Sequence, residues 1–395
     1  MSEDILRITD LSTRFYTSEG QVNAVANLDL SVQRGEVFGI VGESGSGKSV
    51  TALSIMDLIE SPGEIASGSV EYRNDEFADT LRADHPDAVN GDMVDLRSIP
   101  ERARRSLRGT SFSMIFQDPE SSFNPSLTVG EQLAEAVEVQ RRASSRPRST
   151  RARTSGREYS FGNYVLSTVL PSQKYVREES WERAIELLEL VGIPDPAERA
   201  DSYPHEYSGG MLQRAMIAQA LAGEPDVLIA DEPTTALDVT IQAQILNLLR
   251  DLQAETGMSI VLITHDLGVV ARMCDRVGVM YAGELVERGE LADLFERSVH
   301  PYTEGLLGSI PDLEEPAPRL QPIPGNVPDL IASEMGDRCY FADRCPKAMR
   351  ECLEKPPEFE IDGEHGAKCY LAEQEYAPER ALSPEELRGE VSADD

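Results

Sequence analysis

Gly42-Glu43-Ser44-Gly45-Ser46-Gly47-Lys48-Ser49 leaves directly from the apolar run Val37-Phe38-Gly39-Ile40-Val41, and the reading of this junction decides the fold. A short run rich in β-branched residues and bounded by glycine reads as a buried strand, and a glycine-rich stretch ending in lysine and serine reads as a cradle for phosphate oxygens. Glycines let backbone N–H groups curl around an anion, and the N-terminus of the helix that begins near Lys48 adds its positive end. Lys48 then reaches the β- and γ-phosphates and the Ser49 hydroxyl ligates Mg²⁺. A glycine turn beside a surface lysine is the weaker explanation, because this spacing arises by chance in only about one chain in a hundred of this length.

Outward from the junction, residues 111–116, 227–230 and 260–263 repeat the apolar, β-branched character and alternate with helix-period segments, which predicts an α/β domain. The pattern between the first two of these is mostly helical. Trp181, Ala184, Ile185 and Leu188 share one face of a helix ending near Gly192, so a helical subdomain is inserted at about 118–212. Two polar stretches read as surface insertions. One is the acidic stretch 74–95; the other, 141–157, carries Arg141, Arg142, Arg146, Arg148, Arg151, Arg153 and Arg157 without an acid. A solvated loop explains the arginines better than a binding arm for anionic lipid, and no function is attached to them. Beyond residue 285 the pattern thins into a proline-rich extension over 286–335, a four-cysteine segment over 336–371 and an acidic tail over 372–395.

The composition excludes whole classes of partner. Acidic residues number 70 against 37 basic ones, a formal charge of -33 that repels nucleic acid. Lysine is scarce (Lys48, Lys174, Lys347, Lys355 and Lys368), so the basic complement is mostly arginine, a skew suited to a halophilic cytoplasm where salt screens carboxylate repulsion. No stretch approaches the ~20 apolar residues of a membrane helix, and MSEDILRITD has no signal-peptide character, which predicts a cytosolic chain.

Residues 227–232, Val-Leu-Ile-Ala-Asp-Glu, form an apolar strand that ends in two carboxylates. Such an ending is ordinarily a strand entering solvent, but beside a phosphate loop it suits Asp231 to the Mg²⁺ shell and Glu232 to polarising the attacking water.

In this order the motifs resemble the ABC ATPases, from residue 6 to about 283. Ser208-Gly209-Gly210-Met211 looks like the signature sequence, Gln117 in Phe116-Gln117-Asp118-Pro119 like the Q-loop, Ala236-Leu237-Asp238 like the D-loop, and His265 like the switch histidine. Tyr207 and Met211 depart from the commonest signature. The resemblance implies a P-loop NTPase, RecA-like nucleotide-binding domain over 1–285. ATP and Mg²⁺ would be held by Gly42, Glu43, Ser44, Gly45, Ser46, Gly47, Lys48, Ser49, Gln117, Asp231 and Asp238 of one copy and by Ser208, Gly209 and Gly210 in trans from another. Glu232, His265, Gln117 and Lys48 would carry the hydrolysis. Phe15 is the expected stacking partner for adenine, with Tyr16 adjacent.

Residues 41–49, 116–119 with Asn124-Pro125, and 229–238 most resemble the subunits that energise dipeptide, oligopeptide and nickel importers. So does the tail, through His300-Pro301-Tyr302-Thr303, Ile323-Pro324-Gly325 and residues 339–346. That resemblance implies solute import, most often of peptide, by a peripheral subunit on the cytoplasmic face of the membrane. Its partners would be a second, related ABC ATPase subunit, two transmembrane permease subunits and, indirectly, an extracellular solute-binding protein. A sugar or nickel cargo stays open. A non-transport ABC ATPase fits less well, without heptad runs, a second cassette or a basic surface.

Cys339, Cys345, Cys352 and Cys369 are separated by five, six and sixteen residues, and no C-x-x-C knuckle of the kind zinc prefers is present. Four thiolates in so short a segment suit a 4Fe-4S cluster, as the resemblance also implies, with zinc or four free thiols as alternatives. A segment this small is expected to bury little core, so a metal would supply folding energy that packing cannot.

Overall fold

The structure, a computed structural model, describes residues 3–145, 176–235, 237–309 and 323–382. Arg146, Arg148, Arg151, Arg153 and Arg157 of the arginine-rich stretch, Ala236 of the D-loop motif, residues 310–322 of the proline-rich extension and 383–395 of the acidic tail lie outside them. The chain forms two compact units, Met1–Arg73 with Val261–Asp395, and Asn74–Ile260.

In the first unit the strand Asp4–Thr17 pairs antiparallel with Gly20–Gln33 on one side and Gly63–Arg73 on the other. A second group of strands is built on Val37–Val41, whose five residues are all buried. It lies parallel to Arg276–Tyr281, with Phe38 opposite Arg276 and Val41 opposite Val279. A strand buried on both faces has no polar side to present, and that is why the sequence here is a continuous apolar run rather than an alternating one. From Arg276–Tyr281 the pairing continues antiparallel through Glu284–Glu290 and His365–Ala367 to Phe359–Asp362. The last two strands come from the four-cysteine segment, which is therefore woven into the sheet.

The expectation that this segment buries little core is overturned by packing. Phe341, Ala342 and Met349 are 2% exposed or less, and the Phe341 ring packs against His300, Tyr281 and Tyr302 with centroid distances of 5.5, 5.2 and 5.4 Å. Aromatic side chains each remove a large apolar area from water, so a few of them anchor a segment that its count of charges and prolines made look loose.

In the second unit Phe112–Ile115 lies parallel to Val227–Asp231, in the register Phe112 opposite Val227 and Ile115 opposite Ala230. The helices Val129–Ser145, Glu178–Leu190, Pro196–Ala200 and Gly209–Leu221 follow the expected helical pattern. Glu178–Leu190 buries Ala184, Leu187 and Leu188 and half-buries Trp181 and Ile185, and Gly192 ends it in a left-handed conformation with φ 72°.

The acidic stretch 74–95 is folded and not a plain surface insertion. The Asn74 side chain accepts the Phe77 N–H and starts the helix Asp75–Leu81, and a hairpin pairs Val89–Asn90 with Met93–Asp95. Ala78, Leu81, Met93 and Val94 are buried. The acids occupy the outer faces, so counting charge hid an apolar side. Among the described residues no helix is long and apolar enough to cross a membrane.

Candidate nucleotide site

The phosphate loop joins a strand to a helix as expected, running from Val37–Val41 into Lys48–Ile55. Gly47 caps that helix at φ 105°, a conformation few residues other than glycine adopt, and Gly45 sits at φ 80° with open space where a Cβ would point. A Cβ on Gly42 would clash with the Met280 carbonyl oxygen and one on Gly47 with that of Ala24. These two glycines let the loop pass close to neighbouring backbone, while Gly45 leaves the outer side clear for a ligand.

Lys48 is 5% exposed, and its Nζ donates to the Gly42 and Glu43 carbonyl oxygens at 2.8 Å each. Ser49 is exposed on the first turn of the helix, and Ser46 is fully buried with no hydrogen-bond partner for its hydroxyl among the described residues. Buried hydroxyls are normally paired, so this one is an exception within the phosphate loop.

The second unit holds Gln117, Asp231 and Glu232 of the expected site residues. Asp231 ends the buried strand Val227–Asp231 and is 5% exposed. The next residue, Glu232, has a left-handed backbone at φ 48°, an uncommon conformation for a residue with a side chain and one that collects at functional sites. Its Oε2 accepts hydrogen bonds from Gln117 Nε2 at 3.1 Å and from Thr235 Oγ1 at 2.8 Å. The structure thus brings Gln117 and Glu232 together, and it adds Thr235, which sequence reasoning missed. Its only signal was its position three residues on, where a turn brings it back.

Ser208 caps Gly209–Leu221 by accepting the Met211 N–H at 3.3 Å, so the signature serine sits at a helix N-terminus where anions bind. Tyr207 is buried with its hydroxyl donating to the Arg199 carbonyl at 2.8 Å, and burial pushes its pKa up to about 12. Here the departure from the common signature is a packing residue. Asp238 caps Val239–Thr256, accepting the N–H groups of Thr240 and Ile241 at 3.0 Å. A Cβ on Gly210 would lie 2.8 Å from Ile241 Cγ2, so the signature and D-loop helices meet at a glycine.

In the first unit His265 is exposed directly after the strand Ser259–Thr264, and Phe15 is half-buried beside Gly63. Tyr16 is 48% exposed, with its hydroxyl donating to Glu64 at 2.7 Å.

The ABC transporter family pattern matches residues 25–235, which takes in the phosphate loop, the signature and both acids. The chain belongs to the ABC transporter ATP-binding family. The C-terminal region of oligopeptide/dipeptide transporters matches 286–352 of this cassette. It is 42% identical over 374 residues to the dipeptide transport ATP-binding protein DppD of Bacillus subtilis, covering 94% of this chain and 96% of that one. A probable peptide ABC transporter ATP-binding protein of Sinorhizobium fredii is 44% identical over 376 residues, with the same coverage. Among solved structures, cbiO1 of Clostridium perfringens, part of the cbiONQ transporter complex, aligns with TM-score 0.51 at 26% identity, covering 75% of this chain and 93% of that one. The dimeric cassette MJ0796 bound to ADP and Pi shares the fold, with TM-score 0.52 at 24% identity, 72% of this chain and 98% of that one. The α/β P-loop fold and the ATPase class expected from the sequence therefore hold.

Cys339, Cys345, Cys352 and Cys369 line one cavity with Phe341 and Met349, yet among the described residues no group of three or more His, Cys, Asp or Glu is placed to hold a metal ion. The arrangement of these thiols by itself does not show the expected metal centre. Burial is the largest influence on each thiol; it pushes Cys339, Cys345 and Cys369 up to about 12 and raises Cys352 as well. Binding any metal would have to expel their protons, which ties occupancy to pH.

Proposed function

We propose that this cassette powers uptake of di- or oligopeptides from the cytoplasmic face of a membrane. It would pair with a second, related ATPase subunit, drive two transmembrane permease subunits and receive solute from an extracellular binding protein. The observation that carries the reading is the oligopeptide/dipeptide transporter C-terminal match at 286–352, in a chain aligned over nearly its whole length with curated peptide-transport subunits.

In this reading Lys48 and the loop N–H groups hold the phosphates, Ser49, Gln117 and Asp231 complete the Mg²⁺ shell, and Phe15 stacks on adenine. Glu232 orients water, with His265 beside the γ-phosphate and Asp238 facing the opposed cassette. Ser208, Gly209 and Gly210 serve the nucleotide of that cassette, so hydrolysis is shared between subunits. ATP binding closes the pair and phosphate release reopens it, and the membrane subunits follow.

The four cysteines are proposed to hold a 4Fe-4S cluster. The reading rests on the donor set: all four sulfurs line one cavity, and an all-thiol set is the ordinary ligation of such a cluster.

One preparation tests both assignments. The whole transporter, isolated anaerobically in high salt, is expected to be brown, to contain about four irons per copy of this chain, and to hydrolyse ATP faster with peptide-loaded binding protein. Colourless protein with stoichiometric zinc would reassign the metal. Stimulation by a sugar or nickel and not by peptide would reassign the cargo.

The acidic surface is proposed to require concentrated salt for folding, since the charge of -33 repels itself once unscreened. A melting temperature that stays level from molar to millimolar KCl would dismiss that requirement.

A further inference from the structure

We infer that Arg344 is a positioning residue for the phosphate loop, so that the cysteine-bearing segment sets the nucleotide affinity of the ATP site. Glu43 occupies a position in G-x-x-x-x-G-K-S where the pattern accepts any residue, so the motif assigns its side chain no role. In the structure its carboxylate takes both arms of one guanidinium: Arg344 Nη1 donates to Oε2 at 2.7 Å and Nη2 to Oε1 at 3.0 Å. Bidentate carboxylate–guanidinium pairs fix orientation as well as distance.

This pair differs from the ordinary surface ion pair, which contributes little because both partners are free to wander in water. The Arg344 side chain is 5% exposed, its Nε donates to the Pro324 carbonyl at 2.7 Å, and its guanidinium lies 5.6 Å from the Tyr281 ring centroid and 5.8 Å from that of Phe341. Arg344 is therefore held in place from three sides.

Glu43 is gripped at its backbone as well. Its N–H donates to the Tyr302 hydroxyl at 2.9 Å, and its carbonyl accepts from Lys48 Nζ. Side chain, N–H and carbonyl of one loop residue are all tied, and two of the three ties come from Arg344 and Tyr302, both beyond the motif-bearing part of the chain. The orientation of Glu43 sets where the following N–H groups point, and a cradle held ready binds more tightly than one that must be ordered by its ligand.

The link to the cysteines is short. Arg344 ends the turn Ala342–Arg344, its N–H donates to the Phe341 carbonyl at 3.0 Å, and the next residue is Cys345, whose N–H donates to the Ala342 carbonyl at 3.2 Å. Phe341, at the start of that turn, packs on Tyr302. Any rearrangement of the cysteine segment would move Arg344 and Tyr302, and with them the loop.

The test uses the full-length chain in high salt, with a fluorescent methylanthraniloyl-ADP as probe and steady-state hydrolysis as second readout. Arg344→Gln is expected to weaken probe binding about tenfold and to raise KM far more than it lowers kcat. Arg344→Lys should fall between it and wild type, because a point charge replaces a fork. Glu43→Gln should match Arg344→Gln, and the double variant should be no weaker than either single one. The inference rests on nucleotide binding by the loop, so a wild-type chain that fails to bind the probe overturns that reading and this one together. Wild-type binding with Arg344→Gln within twofold of it, or additive losses in the double variant, overturns this inference alone. Should Arg344→Gln not fold, Glu43→Gln decides in the same way, because it leaves the packing of the cysteine segment intact.

Discussion

Glu232→Gln is expected to lower ATP hydrolysis by roughly two to four orders of magnitude, the contribution of a positioned general base, while Mg-ATP stays bound. The amide has almost the shape of the carboxylate, and its oxygen can still accept from Gln117 Nε2 and Thr235 Oγ1, which now sit at 3.1 and 2.8 Å. What disappears is the charge that polarises water. The left-handed backbone at Glu232, φ 48°, belongs to the position and not to the carboxylate, so the substituted side chain is aimed as before. Hydrolysis rate and bound nucleotide are measured on the same preparation. A near wild-type rate would show that another group activates the water, and loss of binding would show that Glu232 holds the nucleotide rather than acting on it.

Gly42→Ala should act earlier, on the loop itself. The added methyl would run into the Met280 carbonyl oxygen, and backbone cannot swing aside as the end of a side chain can. Either the loop or the strand Arg276–Tyr281 must shift, and overpacking of this kind costs about 1–3 kcal/mol. Displaced N–H groups no longer converge, so nucleotide affinity is expected to fall by at least tenfold, together with the melting temperature. Calorimetry and probe titration check the two effects separately. Unchanged affinity would mean that the loop has slack at Gly42. Gly45→Ala is a useful contrast: it meets no neighbour and is strained only by its φ of 80°.

Much of this was legible in the sequence because it is local. The run at 37–41 is the strand Val37–Val41 residue for residue, and the glycine-rich octapeptide is where a strand becomes a helix. The serine of the signature is visible as a helix start because capping is a property of four consecutive residues. Gln117 and Glu232 could each be singled out by motif, but their hydrogen bond spans 115 positions and no periodicity encodes it. Glu43 and Arg344 are 301 positions apart, and no motif read from the sequence links the two. The stretch 74–95 reads as a surface insertion because its acids are spread along it, whereas burial of Ala78, Leu81, Met93 and Val94 depends on which face they share. The cysteine segment was misjudged for a related reason: its anchor is a small group of aromatic rings contributed partly by His300 and Tyr302, outside the segment.

The strands His365–Ala367 and Phe359–Asp362 also settle how the molecule can be handled. They pair onto Glu284–Glu290, which without them would offer a row of open N–H and carbonyl groups, the template on which other chains stick. With them in place the border is a short strand whose outward positions are Glu360 and Asp362, and two neighbouring acids make poor company for a second border like it. A gene cut back to the motif-bearing cassette would remove that trim along with the cysteines. The shortened product should precipitate on its own account, whatever becomes of its chemistry, so the extension belongs in any expression design that aims at well-behaved protein.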